Sequence, residues 1–99
     1  MWQKVSALSE IQEGGSKVVT AGGKEVALFK FEGKIYALDN TCPHQGGPLG
    51  EGYLDGSRVT CPWHAWAFDV KTGDCQTVSG VKQPGYAVKM DGQDILLNL

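Results

Sequence analysis

The stretch CPHQGGPLGEGYLDGSRVTCPWHAWAFDVKTG, residues 42–73, holds both histidines of the chain and two of its three cysteines. They fall in two short knuckles, Cys42-Pro43-His44 and Cys61-Pro62-Trp63-His64, each preceded by a threonine. Sixteen residues separate His44 from Cys61. Cysteine and histidine are favoured ligands for zinc, copper and iron–sulfur clusters. A spacing of one or two residues lets a tight loop aim both side chains at one centre, and two such loops can clamp a metal between them. Unrelated roles would explain a lone buried cysteine or a lone histidine, but they fit poorly to four such residues paired twice. A structural Cys2His2 zinc site fits the ligand count. Zinc knuckles, however, more often place cysteines in one arm and histidines in the other, and here each arm carries one of each.

Composition narrows the class. Ninety-nine residues are enough for one domain with a modest core. A hydrophobic fraction of 41% and a charged fraction of 20% describe a soluble globular chain. The net charge is −2 and the nine Lys and Arg are scattered singly, which argues against a nucleic-acid surface. No apolar run approaches the roughly 20 residues of a membrane span. The N-terminal MWQKVSALSEIQEGG has no apolar secretory core, so a cytoplasmic location is expected. Three cysteines are an odd number, which suits thiolate ligands plus one spare better than a disulfide framework. The spare is Cys75, read as a strand residue. A reactive thiol there would need exposure and a depressed pKa.

Outside the knuckles the chain reads as short β-strands divided by glycine turns. KVVT (17–20) and EVALFKF (25–31) flank AGGK, and KIYALD (34–39) follows EGK. GYL and RVTC flank Asp55-Gly56-Ser57, AFDV and DCQT flank KTG, and AVKM and DILLNL flank Asp91-Gly92-Gln93. Such pairs supply the positive φ of tight hairpins. Many short strands with a turn between each predict an all-β antiparallel sandwich or barrel. The one helical candidate is a short turn over 7–13 with Ser9 as its cap. Residues 41–69 form a contiguous loop-built block, a cluster-binding subdomain set in a β scaffold of 1–40 and 70–99 within a single domain of 1–99.

Residues 42–73 closely resemble the Rieske iron–sulfur pattern, C-x-H followed some sixteen residues later by C-x-x-H. Gly46, Pro48 and Leu49 after the first knuckle match it, as do Phe68-Asp69 and Thr72-Gly73 after the second. The tail QPGYAVKMDGQDILLNL (83–99) is similar to the family's proline loop and closing hairpin. The resemblance covers essentially the whole chain. It implies a [2Fe–2S] cluster with Cys42 and Cys61 on one iron and His44 and His64 on the other. Replacing two thiolates by neutral imidazoles removes negative charge, which raises the reduction potential above that of all-cysteine clusters.

High-potential members of the family carry a disulfide across the two loops, where this chain has Gly47 and Trp63. They also carry serine and tyrosine hydroxyls that donate toward sulfur, where this chain has Trp66 and Phe68. The resemblance therefore implies a low-potential protein, around −150 mV rather than about +300 mV. Trp63 and Trp66 are read mainly as a shield against water, with a docking role as the alternative. Pro84 is read as ordering a loop beside the cluster, or as a simple turn proline.

Three functions follow from the resemblance. The first is a one-electron carrier, monomeric, passing electrons from a flavin-containing NAD(P)H reductase to a terminal oxygenase or other reductase, as ferredoxin components of aromatic-ring dioxygenase systems do. The second is the small subunit of an NAD(P)H-dependent nitrite reductase. The third, a catalytic oxygenase, needs a further iron held by two histidines and a carboxylate. Both histidines are already used, so the chain is not expected to be an enzyme by itself. Glu51, Asp55 and Asp74 are candidates for steering a basic partner, or plain solvated turn residues.

Overall fold

In a computed structural model, the residues described are 2–41, 48–62 and 66–98. Cys42, His44, Gly47, Trp63 and His64 lie outside them. Ten antiparallel strands form three sheets. β1 (Trp2–Ala7), β9 (Val88–Asp91) and β10 (Asp94–Asn98) make the first, in the order β1-β10-β9. β2 (Ser16–Ala21), β3 (Lys24–Phe31), β4 (Lys34–Asp39) and β8 (Gly85–Tyr86) make the second, ordered β2-β3-β4-β8. β5 (Tyr53–Asp55), β6 (Arg58–Thr60) and β7 (Ala67–Asp69) make the third. The all-β antiparallel fold read from the sequence is the fold observed.

The second sheet is central because β3 and β4 are apolar on both faces. Val26 to Phe29 are all buried. With a side-chain period of two, this run divides between two cores. Ala27, Phe29 and Leu38 pack with Leu49, Val59, Cys61, Phe68 and Val70 of the third-sheet side. Val26, Leu28, Ile35 and Ala37 pack with Ile11, Ile95 and Leu97 on the first-sheet side. The β3–β4 register, Val26↔Asp39 through Phe31↔Lys34, keeps the two sets on their own faces. A slip of one residue would exchange them.

The structure differs from these expectations in three places. Residues 7–13 do not form a capped helical turn around Ser9. A three-residue 3₁₀ turn, Leu8–Glu10, starts after Ala7, and no side chain caps it. β1 remains paired with β10 as far as Ala7↔Asp94, and the Leu8 N–H donates to Gln93 O at 2.7 Å, so the turn cannot begin earlier. DCQT is not a regular strand but a pair of isolated bridges, Phe68↔Cys75 and Asp74↔Lys82. The Gln76 and Asp69 N–H groups donate to Ala67 O and Asp74 O around the Phe68↔Cys75 bridge, but the Ala67 N–H donates to the Thr77 hydroxyl at 3.0 Å, and the regular ladder stops there. β1 and β8 lie outside the strands read from the sequence: β1 is half polar without regular alternation and β8 has two residues, and pairing with β10 and β4 makes them strands. Cys75 is half-buried against the third-sheet core and accepts the Val78 N–H at 3.3 Å, as a structural residue would.

The β3–β4 turn has a carboxylate clasp. Glu13 accepts the N–H groups of Glu32 and Gly33 at 2.7 and 2.9 Å. Glu32 is held at φ 53°, where an L residue is uncommon. The Gly33 and Glu32 amides, and more weakly Lys30, hold the Glu13 carboxyl below the ordinary glutamate value of 4.5. A depressed pKa stabilises the fold above the unfolded value, and that contribution is lost as pH falls through the folded value. Glu13→Gln is therefore expected to lower the melting temperature at neutral pH and to shrink the acid-side decline below about pH 4.5. Melting curves of both proteins from pH 3 to 7 check this; parallel curves would show that the clasp is energetically silent.

Candidate metal centre

The first knuckle follows β4 and the second follows β6. The first knuckle departs from the end of β4 and returns at Pro48. Thr41 and Pro48 pair as an antiparallel bridge, so the loop 42–47 is closed at its neck. Asn40, 4% exposed, secures that neck. Its carbonyl accepts the Leu49 N–H at 2.7 Å and its side-chain oxygen accepts the Gly50 N–H at 2.7 Å. Its own N–H donates to Glu25 O at 3.1 Å. The Ser16 hydroxyl on β2 donates to Gly50 O at 2.7 Å. The 3₁₀ turn Leu49–Glu51 is thereby fixed to the central sheet.

Gln83, 1% exposed, holds the other leg. Its side-chain amide donates to the carbonyls of Asp39 and of Thr41, the latter at 2.7 Å. Its backbone N–H donates to Gly73 O at 2.7 Å. Pro84 is exposed, and its carbonyl accepts the Asp39 N–H at 2.8 Å.

The second knuckle spans the β6–β7 connection. Thr60 pairs with Ala67, and the Cys61 N–H donates to Trp66 O at 2.7 Å, closing this loop also at its neck. Cys61 is 1% exposed and packs with Leu49, Val59, Phe68 and Val70. Phe68 is fully buried in the same core, and Trp66 is half-buried against it. The phenyl ring of Phe68 brings no hydroxyl near Cys61.

Of the four proposed ligands the described residues include one, Cys61. The donor set nonetheless fits a [2Fe–2S] cluster of mixed ligation: two soft thiolates and two imidazoles on two loops. The buried setting of Cys61 at a rigid strand end suits a sulfur ligand kept away from water. Sequence reading missed Asn40 and Gln83. Their signal was faint: polar residues beside the first knuckle and before the proline of QPGY. It also missed Tyr53, 76% exposed on β5 between the exposed Glu51 and Asp55. Asp74 is exposed as well.

The Rieske [2Fe–2S] domain model matches residues 1–96. The chain belongs to the Rieske [2Fe–2S] family. Among Rieske relatives, the ferredoxin component of a naphthalene 1,2-dioxygenase system from Pseudomonas aeruginosa is 43% identical, over 99% of this chain and 95% of its own. A solved complex of reduced oxygenase and oxidised ferredoxin in carbazole 1,9a-dioxygenase contains a chain 32% identical to this one. It superposes with a TM-score of 0.88 over 97% of this chain and 91% of that chain. A chain named as an NADPH nitrite reductase small subunit shares the fold alone, at 20% identity and a TM-score of 0.86 over 100% of this chain and 99% of that one. A Rieske domain carries a [2Fe–2S] cluster, so the zinc alternative falls. No helix among the described residues is long and apolar enough to cross a membrane.

Loss of the Asn40 clasp tests how firmly the first knuckle is held. Asn40→Ala leaves the buried Gly50 N–H without its acceptor, a cost of about 1–3 kcal/mol. A fall in the melting temperature of the iron-loaded protein is expected, and an unchanged value would show that water replaces the side chain.

Proposed function

We propose that this protein is the ferredoxin component of an aromatic-ring dioxygenase system, a one-electron carrier and not an enzyme by itself. It takes electrons from a flavin-containing NAD(P)H reductase and delivers them to a terminal oxygenase. The observation that carries this reading is the near full-length, 43% identical match to a naphthalene dioxygenase ferredoxin component. The nitrite reductase alternative has only the shared fold in its favour.

Cys42 and Cys61 would hold one iron of the cluster, and His44 and His64 the other. When bound, the cluster supplies one reversible electron. Trp66 and Phe68, packed in the core that holds Cys61, would help keep water from its sulfur, and the Thr41–Pro48 bridge and the Cys61–Trp66 bond would limit rearrangement on a change of charge. We place the cluster-binding part at residues 41–69, in a single domain whose scaffold is 1–40 and 70–99. The outward row Glu51, Tyr53 and Asp55, beside the strand that leads to Cys61, suits a transient encounter between a monomeric carrier and a basic partner face. Gly47 and Trp63 occupy the sequence positions of the bridging cysteines of high-potential members, in keeping with a low potential. The protein is expected to work in the cytoplasm.

The test is an EPR spectrum of the dithionite-reduced protein followed by a redox titration. A rhombic signal with an average g clearly below that of all-cysteine clusters, and a midpoint near −150 mV, about the low end for this cluster type, is expected. A midpoint near +300 mV, about the high end, overturns the low-potential assignment. An EPR-silent protein with stoichiometric zinc overturns the carrier reading altogether.

A further inference from the structure

The base of the first knuckle and the turn that follows β7 are both bonded to one residue, the first through its side chain and the second through its backbone. Gln83 sits in neither loop. Its amide nitrogen donates to Asp39 O and Thr41 O, the carbonyls on either side of Asn40, immediately before Cys42. Its backbone N–H donates to Gly73 O. Gly73 closes the turn after β7, with its own N–H on Asp69 O at 2.7 Å, and β7 is the strand that receives the second knuckle. The approach is close: a Cβ on Gly73 would lie 2.4 Å from Gln83 O. Gly73 also has φ +82°, which favours glycine. Gln83 is 1% exposed, so water does not compete freely for these carbonyls.

We propose that Gln83 is a positioning residue for the cluster: it fixes the leg of the Cys42–His44 loop against the turn behind the Cys61–His64 loop, and so sets the relative placement of the two ligand pairs. This rests on the ligand assignment above. Leucine in its place keeps a similar volume and removes both donors. Two backbone carbonyls then lose their partner, and the first leg can shift relative to the second. Ligand geometry and the exposure of the sulfurs both influence the reduction potential and the g-tensor. A residue that merely stabilised the fold would change neither.

The experiment compares the iron-loaded wild type, Gln83→Leu and Leu97→Ala. Leu97 lies in the first-sheet core, away from both knuckles, so its variant controls for a general loss of stability. For Gln83→Leu the expected results are altered g-values or linewidth, a shifted midpoint potential, and iron release about tenfold faster at a temperature where all three proteins remain folded. Leu97→Ala is expected to lower the melting temperature with the EPR signal and potential unchanged. If Gln83→Leu yields no folded loaded protein, Gln83→Asn decides in the same way: its amide is one methylene shorter and cannot span both carbonyls. A variant that melts earlier but keeps the wild-type g-values, potential and release rate overturns the proposal. A wild type lacking a Rieske signal overturns the ligand assignment instead, so the two failures are distinct.

Discussion

Cys61→Ala is expected to give a folded protein that does not retain its iron. Cys61 directly follows β6, its N–H donates to Trp66 O, and its side chain packs among Leu49, Val59 and Phe68. Alanine keeps the backbone bond and leaves a small void, at a cost of about 1 kcal/mol, which the three sheets should tolerate. The missing thiolate is another matter. Even outer partners of metal ligands typically change affinity by roughly 10–100-fold, and a lost ligand should cost more. Iron and sulfide analysis alongside circular dichroism separates the two effects. Native-like β-structure with iron reduced by more than about tenfold is expected. Full iron content with an unchanged EPR spectrum would remove Cys61 from the ligand set.

Gly52→Ala is expected to be strongly destabilising. Its backbone, φ −78° and ψ −173°, is one that any residue adopts, so conformational freedom is not the reason for glycine. The reason is contact. A Cβ at this position would stand 2.0 Å from Thr60 O and 2.9 Å from the Thr60 carbonyl carbon. Both are backbone atoms of β6, paired on one side with β5 and on the other with β7. They cannot turn aside as a flexible side chain would. Relief requires moving β6 or the Leu49–Glu51 turn, and β6 leads directly into Cys61. A loss of about 3 kcal/mol is expected, with accompanying loss of iron. Chemical denaturation of wild type and variant measures it, and a difference below about 1 kcal/mol would show that the turn relaxes cheaply.

These two residues differ in how legible they were. Cys61 announced itself, because thiol and imidazole at fixed spacing have few other uses. Gly52 is one of fourteen glycines, and nothing local distinguishes it from the turn glycines around it. Its constraint comes from Thr60, eight residues away in sequence and in contact only after β5 and β6 pair. Asn40 and Gln83 were overlooked for the same reason: Gln83 meets Asp39 and Thr41 across more than forty residues.

The sequence by itself determined the hairpins, since AGGK and Asp91-Gly92-Gln93 are local devices in which turn chemistry and alternation act within a few residues. It also determined the chemistry, because ligand type and spacing are properties of the chain. The tertiary structure alone decided which strands are edges, where the Leu8–Glu10 turn begins, and how the apolar run Val26–Phe29 is shared between two cores. It alone decided which buried amides hold the knuckles closed. Those outcomes depend on backbone groups finding partners far along the chain once water is excluded, and no local pattern records that pairing.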